Sequence, residues 1–284
     1  MKYLKIILIF IVFVGAIVLV MNWKSSGSTG SREKGESETD KINVEVKCTD
    51  FREQWANTKS WDQKLYDRQS GQVEAWKEQK LLSERGYNTL STVVREQAVR
   101  KINDSYIALL TPSAYSHNQL LNAYKGVDYL KSHEQSIDND FQEIDEIHSL
   151  YLKIRSFVSS PHAISPTFNP KTGTWSSFTA ERNNILSTAS SYRNNRHYAE
   201  LKNVPGFQEG LNTDQLQKQL DSMKPEYYRR LSRLIANEIS ELTPNKENYE
   251  RMKRVYERFA KEDSANASVV YSALNKMEKS IPVE

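Results

Sequence analysis

One cysteine, Cys48, is all that the 284 residues contain, so no disulfide can form within the chain and its fold must be held by packing. In an oxidising compartment the same thiol could link two copies, which makes a homodimer one expectation; an unpaired thiol is the plainer one. The five histidines, His117, His133, His148, His162 and His197, form no H-x-x-x-H pair and none lies near Cys48 at ligand spacing. That excludes the common zinc motifs. A phosphate-cradling glycine loop and a G-x-S-x-G elbow are missing as well. The sequence therefore offers no catalytic residue, no cofactor-binding residue and no metal-ligand set, and no cofactor is expected.

Charge of one sign is also lacking. The chain holds 39 Lys and Arg against 36 Asp and Glu, but Lys2, Lys5 and Lys24 flank its first segment, and 39 less these three leaves 36. A neutral body has no basic face or stripe, so no nucleic-acid partner is expected. Alternating strand patterns are nearly absent too.

What is present begins at the N-terminus. Ile6 to Met21 are sixteen residues without a charge, and Leu4 to Trp23, at about 1.5 Å per residue in a helix, reach roughly the 30 Å of a hydrocarbon core. Lys5 can carry its ammonium back to the headgroups, and Trp23 suits the opposite interface. A cleaved signal peptide is the competing interpretation. Its apolar region usually runs about 7 to 15 residues and ends in a small-x-small site, whereas here the nearest small pair, Ser26 and Ser28, lies beyond Lys24. Cys48 is too far from the run to serve as a lipoprotein cysteine. Residues 1–24 are expected to be a transmembrane signal anchor in contact with the lipid bilayer. The two lysines of the short tail favour a cytoplasmic N-terminus and a periplasmic or extracellular body.

Residues 25–41 contain three glycines, five serines and many charges but no large apolar side chain. Such a composition cannot offset its ordering entropy, which predicts a disordered linker. The rest, 42–284, is written in helical period. Phe51, Trp55, Thr58, Asp62 and Leu65 predict a partly buried helix beginning after Asp50, with Asp50 and Glu53 at capping-box spacing, and ending near Gly71. Tyr87, Leu90, Val94, Ala98, Ile102, Tyr106 and Leu109 make a cleaner stripe that stops at Thr111-Pro112. The stripe Ile137, Phe141, Ile144, Ile147, Tyr151, Ile154, Val158 belongs to a helix that either extends back to Ser113 or breaks around 132–136. Later helices are expected at about 176–199, 213–222, 225–242, 244–261 and 264–279. Pro225 and Pro244 occupy first-turn positions, with Thr243 as a cap. In 167–175, Pro170 and Gly173 allow one small hairpin between Phe168 and Trp175.

An internal echo, Leu110-Thr111-Pro112 with Tyr124 against Leu242-Thr243-Pro244 with Tyr256, raises duplication as an alternative, but Thr-Pro as a good helix start and the abundance of Leu and Tyr are the plainer account.

Three constellations bear on chemistry. Asp145 and His148 share a helix face, but di-iron bundles need Glu-x-x-His twice and neither copy is here; His148 is expected at the boundary of the core stripe. Asp138-Asn139-Asp140 resembles paired metal-binding acids in isolation, yet it sits in a helical pattern, and an EF-hand would need glycine where Glu143 stands. The acidic run Glu134, Asp138, Asp140, Glu143, Asp145, Glu146 is expected to be a solvated face, or to receive a basic partner or the chain's own Arg229, Arg230 and Arg233. The segment 159–175, rich in proline, is a possible sub-boundary and is expected to pack through Phe168, Trp175 and Phe178. Asn103 and Asn266 begin Asn-x-Ser triplets, which keep a glycosylated secretory protein in play.

The fold expected is therefore all-α: a single transmembrane helix, a flexible linker, and a helical bundle or short array of helical pairs. The function expected is an interaction or scaffold module of the cell envelope with a protein partner. The rival is a membrane-anchored helical hydrolase or transferase whose site joins His148 or His162 to distant carboxylates.

Overall fold

A computed structural model describes residues 40–134 and 137–282. The anchor expected at 1–24 and nearly all of the linker lie outside the described residues. Among the described residues no helix is long and apolar enough to cross a membrane.

The body is all-α, with one two-residue hairpin. Helices α1 (Val44–Ala56), α2 (Gln63–Glu78), α3 (Glu84–Ala108), α4 (His117–His133) and α5 (Asp138–Ser159) come first. The hairpin β1 (Phe168–Asn169) and β2 (Thr174–Trp175) follows, then α6 (Phe178–Arg193) and the short turns α7 (Tyr198–Leu201) and α8 (Phe207–Gly210). The chain ends in α9 (Thr213–Glu241), α10 (Lys246–Glu262) and α11 (Ala267–Lys279).

Several boundaries differ from the sequence expectation, each for an identifiable reason. The first helix begins at Val44, where Asn43 caps Val46 N at 3.1 Å; Asp50 is mid-helix and pairs with Lys47 at 2.8 Å. The helix does not continue to Gly71. It stops at Ala56, and Asp62 caps a second helix by accepting from Leu65 N at 3.1 Å. Of the two alternatives for the stretch after Pro112, the structure has the break: α4 ends at His133 and α5 begins at Asp138. Pro225 does not start a helix but lies inside α9. Its ring removes the bond to the Asp221 carbonyl, and Asp221 is exposed, so water can satisfy that group. The stripe Leu216, Leu220, Tyr227, Leu231, Ile235, Ile239 is buried along the whole helix and holds both sides of the proline in line. Thr243 does not cap either: Asn245 does, accepting from Asn248 N at 2.8 Å. Neither Thr-Pro therefore begins a helix: α4 starts at His117 and α10 at Lys246.

Two apolar cores result. The first is built from α1 to α5, Ala189 of α6, α7, α8 and the start of α9, around Trp55, Leu90, Ile102, Tyr106, Phe141, Tyr151 and Phe207. The second gathers Ile164, Phe178, Tyr227, Leu231, Met252, Phe259, Val270 and Leu274 from the 160–177 segment and α6, α9, α10 and α11. Leu186 of α6 touches both. The hairpin pairs Phe168 with Trp175, and Gly173 takes φ +66 at its turn, where a Cβ would lie 2.8 Å from Val255 Cγ2. Only glycine meets both demands without strain. The Trp175 indole lies under the Arg258 guanidinium at 3.9 Å, so the segment packs on the second core through aromatic residues.

Candidate functional site

The residues with chemical potential converge in the first core. On α4, His117, Tyr124 and Lys131 recur every seven residues; on α5, Asp145, His148, Tyr151 and Arg155 recur at steps of 3 and 4. Such spacing puts each set on one helix face, and Tyr106 of α3 meets them from the third side. Tyr106 Oη lies 2.7 Å from His148 Nδ1, and the His148 ring stacks on Tyr124 with centroids 3.7 Å apart. Tyr124 Oη donates to Asp145 Oδ1 at 2.8 Å, and Asp145 is also paired with Lys131. Tyr151 Oη lies 2.9 Å from Tyr115 Oη and 2.7 Å from His117 Nδ1, and Arg155 donates to Tyr115 Oη at 3.0 Å.

His148 is thus not a boundary residue: it is 6% exposed. Tyr106 and Tyr124 take up its ring edge and face, so a polar side chain sits inside the stripe without an unmet nitrogen at Nδ1. Burial lowers its pKa below the ordinary value of 6.5, against the smaller pull of Asp128 and Asp145. Burial likewise pushes the Tyr106 phenol well above its usual range. Both shifts favour the neutral forms of the two partners. This arrangement is that of a packed polar core.

The other sequence candidates separate. His162 rests on Phe157 with ring centroids 4.3 Å apart. Asp138, Asn139 and Asp140 stand exposed on the first turn of α5, where the helix dipole favours acids. Glu146 pairs with Arg196 and, at 2.7 Å, His197; Arg196 first and then His197 hold its carboxyl down at about 2. Arg229 and Arg230 pair with Glu226 instead of the acidic run, because both follow it on the same face of α9. Cys48 is buried on α1, and burial raises its thiol pKa. Asn266 sits at the N-terminus of α11, tied to Asp263 at 2.6 Å, and Asn103 lies within α3. Among the described residues no three His, Cys, Asp or Glu side chains converge as metal ligands.

The open features lie elsewhere, on either side of an aromatic ridge. Trp61 stacks on Trp55 (centroids 5.7 Å apart, planes 16° from parallel) and adjoins Tyr66 at 5.8 Å and Tyr129 at 6.2 Å. Gly126 makes room for it: a Cβ there would lie 2.9 Å from Trp61 Cδ1. On one side of the ridge a groove of about 460 Å³ includes Tyr66, Asp67, Glu74, Tyr87, Tyr129 and Glu134 in its lining. Each of its tyrosines donates to one of its acids: Tyr66 to Glu134, Tyr87 to Glu74 at 2.5 Å, and Tyr129 to Asp67 at 2.5 Å. On the other side, grooves of about 400 and 700 Å³ share Lys59, Ser60, Trp61 and Asn122. Sequence reasoning passed over this ridge because Trp61 falls in a connection and Tyr129 stands off the main stripes. The available signal was Trp61 immediately before the capping Asp62.

Comparison of the chain with protein-family models, with curated proteins and with solved structures found no match.

Proposed function

We propose that this chain is a single-pass membrane-anchored scaffold module of the cell envelope, its helical body on the periplasmic or extracellular side, and that it acts by holding a basic segment of a protein partner. The tyrosine–carboxylate groove carries this reading. Asp67, Glu74 and Glu134 line it, and among the described residues none has a cationic side chain within 4 Å. The tyrosine hydroxyls fix the three carboxylates in place while leaving lone pairs on them for further donors. The Tyr87 ring already carries the Lys77 ammonium over its face, 3.7 Å from the centroid, so a cation is accommodated beside the groove's aromatic rings. Asp67 and Glu74 are two helical turns apart, about 10 Å along α2 at 1.5 Å per residue, which is too far for one cation to meet both. A segment with two basic side chains suits the spacing. The apolar run of residues 6–21 and its flanking lysines support the anchor.

Photo-crosslinking from position 91, in the groove wall, in native membranes tests the reading. The expected result is a discrete crosslinked protein whose attached peptide is rich in Lys or Arg, lost in the Asp67→Asn/Glu74→Gln/Glu134→Gln variant. The reading fails if the same crosslink persists in that variant, or if the body is reached by reporters active only in the cytoplasm.

A further inference from the structure

The grooves on the other side of Trp61 have the opposite character. Thr58 to Asp62, between α1 and α2, and Gln63 and Lys64 at the start of α2 form one wall; Ser105, Ala108 and Leu109 at the end of α3 and Gln119, Asn122 and Lys125 of α4 form most of the rest. In the carboxylate groove the hydroxyls are already bonded to the acids. Here, among the described residues, the side chains of Lys59, Ser60, Lys64, Gln119, Asn122 and Lys125 and the Trp61 N–H have no hydrogen-bond or salt-bridge partner. The acid of the lining, Asp62, is engaged in capping α2 through Oδ1. The site thus combines an aromatic side chain held from behind by Trp55, amides and a hydroxyl able both to donate and to accept, and three unpaired ammonium groups.

Each element selects part of a ligand. A tryptophan ring complements the apolar C–H face of a pyranose. Asn122 and Gln119 amides and the Ser60 hydroxyl match sugar hydroxyls, which are themselves donors and acceptors. Three lysines against the one carboxylate of Asp62 leave the lining net positive, which calls for anions on the same molecule. Volumes of about 400 and 700 Å³ fall in the range of sites that enclose small ligands or a few linked units. Single-stranded nucleic acid also uses aromatic rings and lysines, but successive bases call for successive stacking platforms, and Trp61 is the one aromatic residue lining either groove among the described residues. We propose that the Trp61 groove binds an anionic glycan, one sugar ring against the indole and its acidic groups on Lys59, Lys64 and Lys125. This site is separate from the carboxylate groove, so either reading can fail without the other.

The test is titration calorimetry on the full chain in nanodiscs with oligogalacturonate, a dextran oligosaccharide of equal length and oligothymidylate. Oligogalacturonate is expected to bind at 50 mM salt. Its affinity should fall more than tenfold in Lys59→Gln/Lys64→Gln/Lys125→Gln, and be lost in Asn122→Trp, which fills the groove at unchanged charge. Asp67→Asn should leave it unaltered. All three variants change exposed positions, and their melting temperatures confirm the fold. The proposal is overturned if oligogalacturonate does not bind, or if dextran binds as tightly. It is also overturned if oligothymidylate binds more tightly, or if binding survives Asn122→Trp, which would mark it as unspecific attraction to surface lysines.

Discussion

The two cores of this protein are built on different rules. The first contains buried Gln69 and His148 and the deeply placed hydroxyls of Tyr106 and Tyr151, each with a partner on another element. Gln69, for example, accepts from Trp55 Nε1 at 2.8 Å. The second is more apolar: the Ser232 hydroxyl bonds to the Arg229 carbonyl of its own helix at 2.9 Å, and the one cross-element bond from its buried side chains among the described residues runs from the Tyr227 hydroxyl to Ser176. Cross-element hydrogen bonds in a low-dielectric interior make a misplaced helix costly, because every slipped register leaves a donor or acceptor unmet. An apolar core depends on volume alone and accepts volume-conserving exchanges. Both grooves flank this polar-pinned core, their walls coming from α2, α3, α4 and the α1–α2 connection.

The sharpest way to test that difference is to remove volume from the second core. Phe259, fully buried, should cost about 3–5 kcal/mol when changed to Ala and less than about 1.5 kcal/mol when changed to Leu or Met, measured by chemical denaturation. A similar loss from the conservative change would show that the second core is as specific as the first.

Next in size is the polar core. Tyr106→Phe leaves His148 Nδ1 without its partner and should cost about 1–3 kcal/mol. Combining it with His148→Leu should cost clearly less than the sum of the two single changes, since neither polar group then remains unmet. Additive losses would mean the pair is not coupled.

Acid should also separate the cores. His148 and His117 both have pKa values lowered by burial, with Arg155 adding to the effect at His117. A folded-state pKa below the unfolded one gives stability that is present above about pH 6.5 and lost as pH falls toward the folded value, because the unfolded chain takes up the proton first. Stability should therefore decline between about pH 7 and 5, and less steeply in His148→Gln. An unchanged slope in that variant would place the proton uptake elsewhere. The smallest effect is expected at Ser232→Ala, within about 0.5 kcal/mol in thermal melts, because that hydroxyl bonds only within its own turn.

Much of this fold was legible without coordinates. Stripes such as Leu90, Val94, Ala98, Ile102, Tyr106 and Ile144, Ile147, Tyr151, Ile154 identify helices because burial repeats with the helical turn, and Pro170 with Gly173 marks the hairpin between Phe168 and Trp175. Boundaries were less legible where a second signal competed. Asn43 and Asn245 cap more effectively in place than the Asp50 and Thr243 that their local spacing favoured, and the stripe along α9 overrides the break expected at Pro225.

Sequence alone determined the all-α class, the neutral charge of the body and the polar stretch that precedes it, since these follow from composition and from period along one chain. Tertiary structure alone decided that His148 is sealed between Tyr106 and Tyr124, that the Glu134 carboxylate stands with Asp67 and Glu74, and that Trp61 divides an acidic groove from a basic one. Those relations join residues tens of positions apart, and only the packing of one helix against another fixes which side chains face each other.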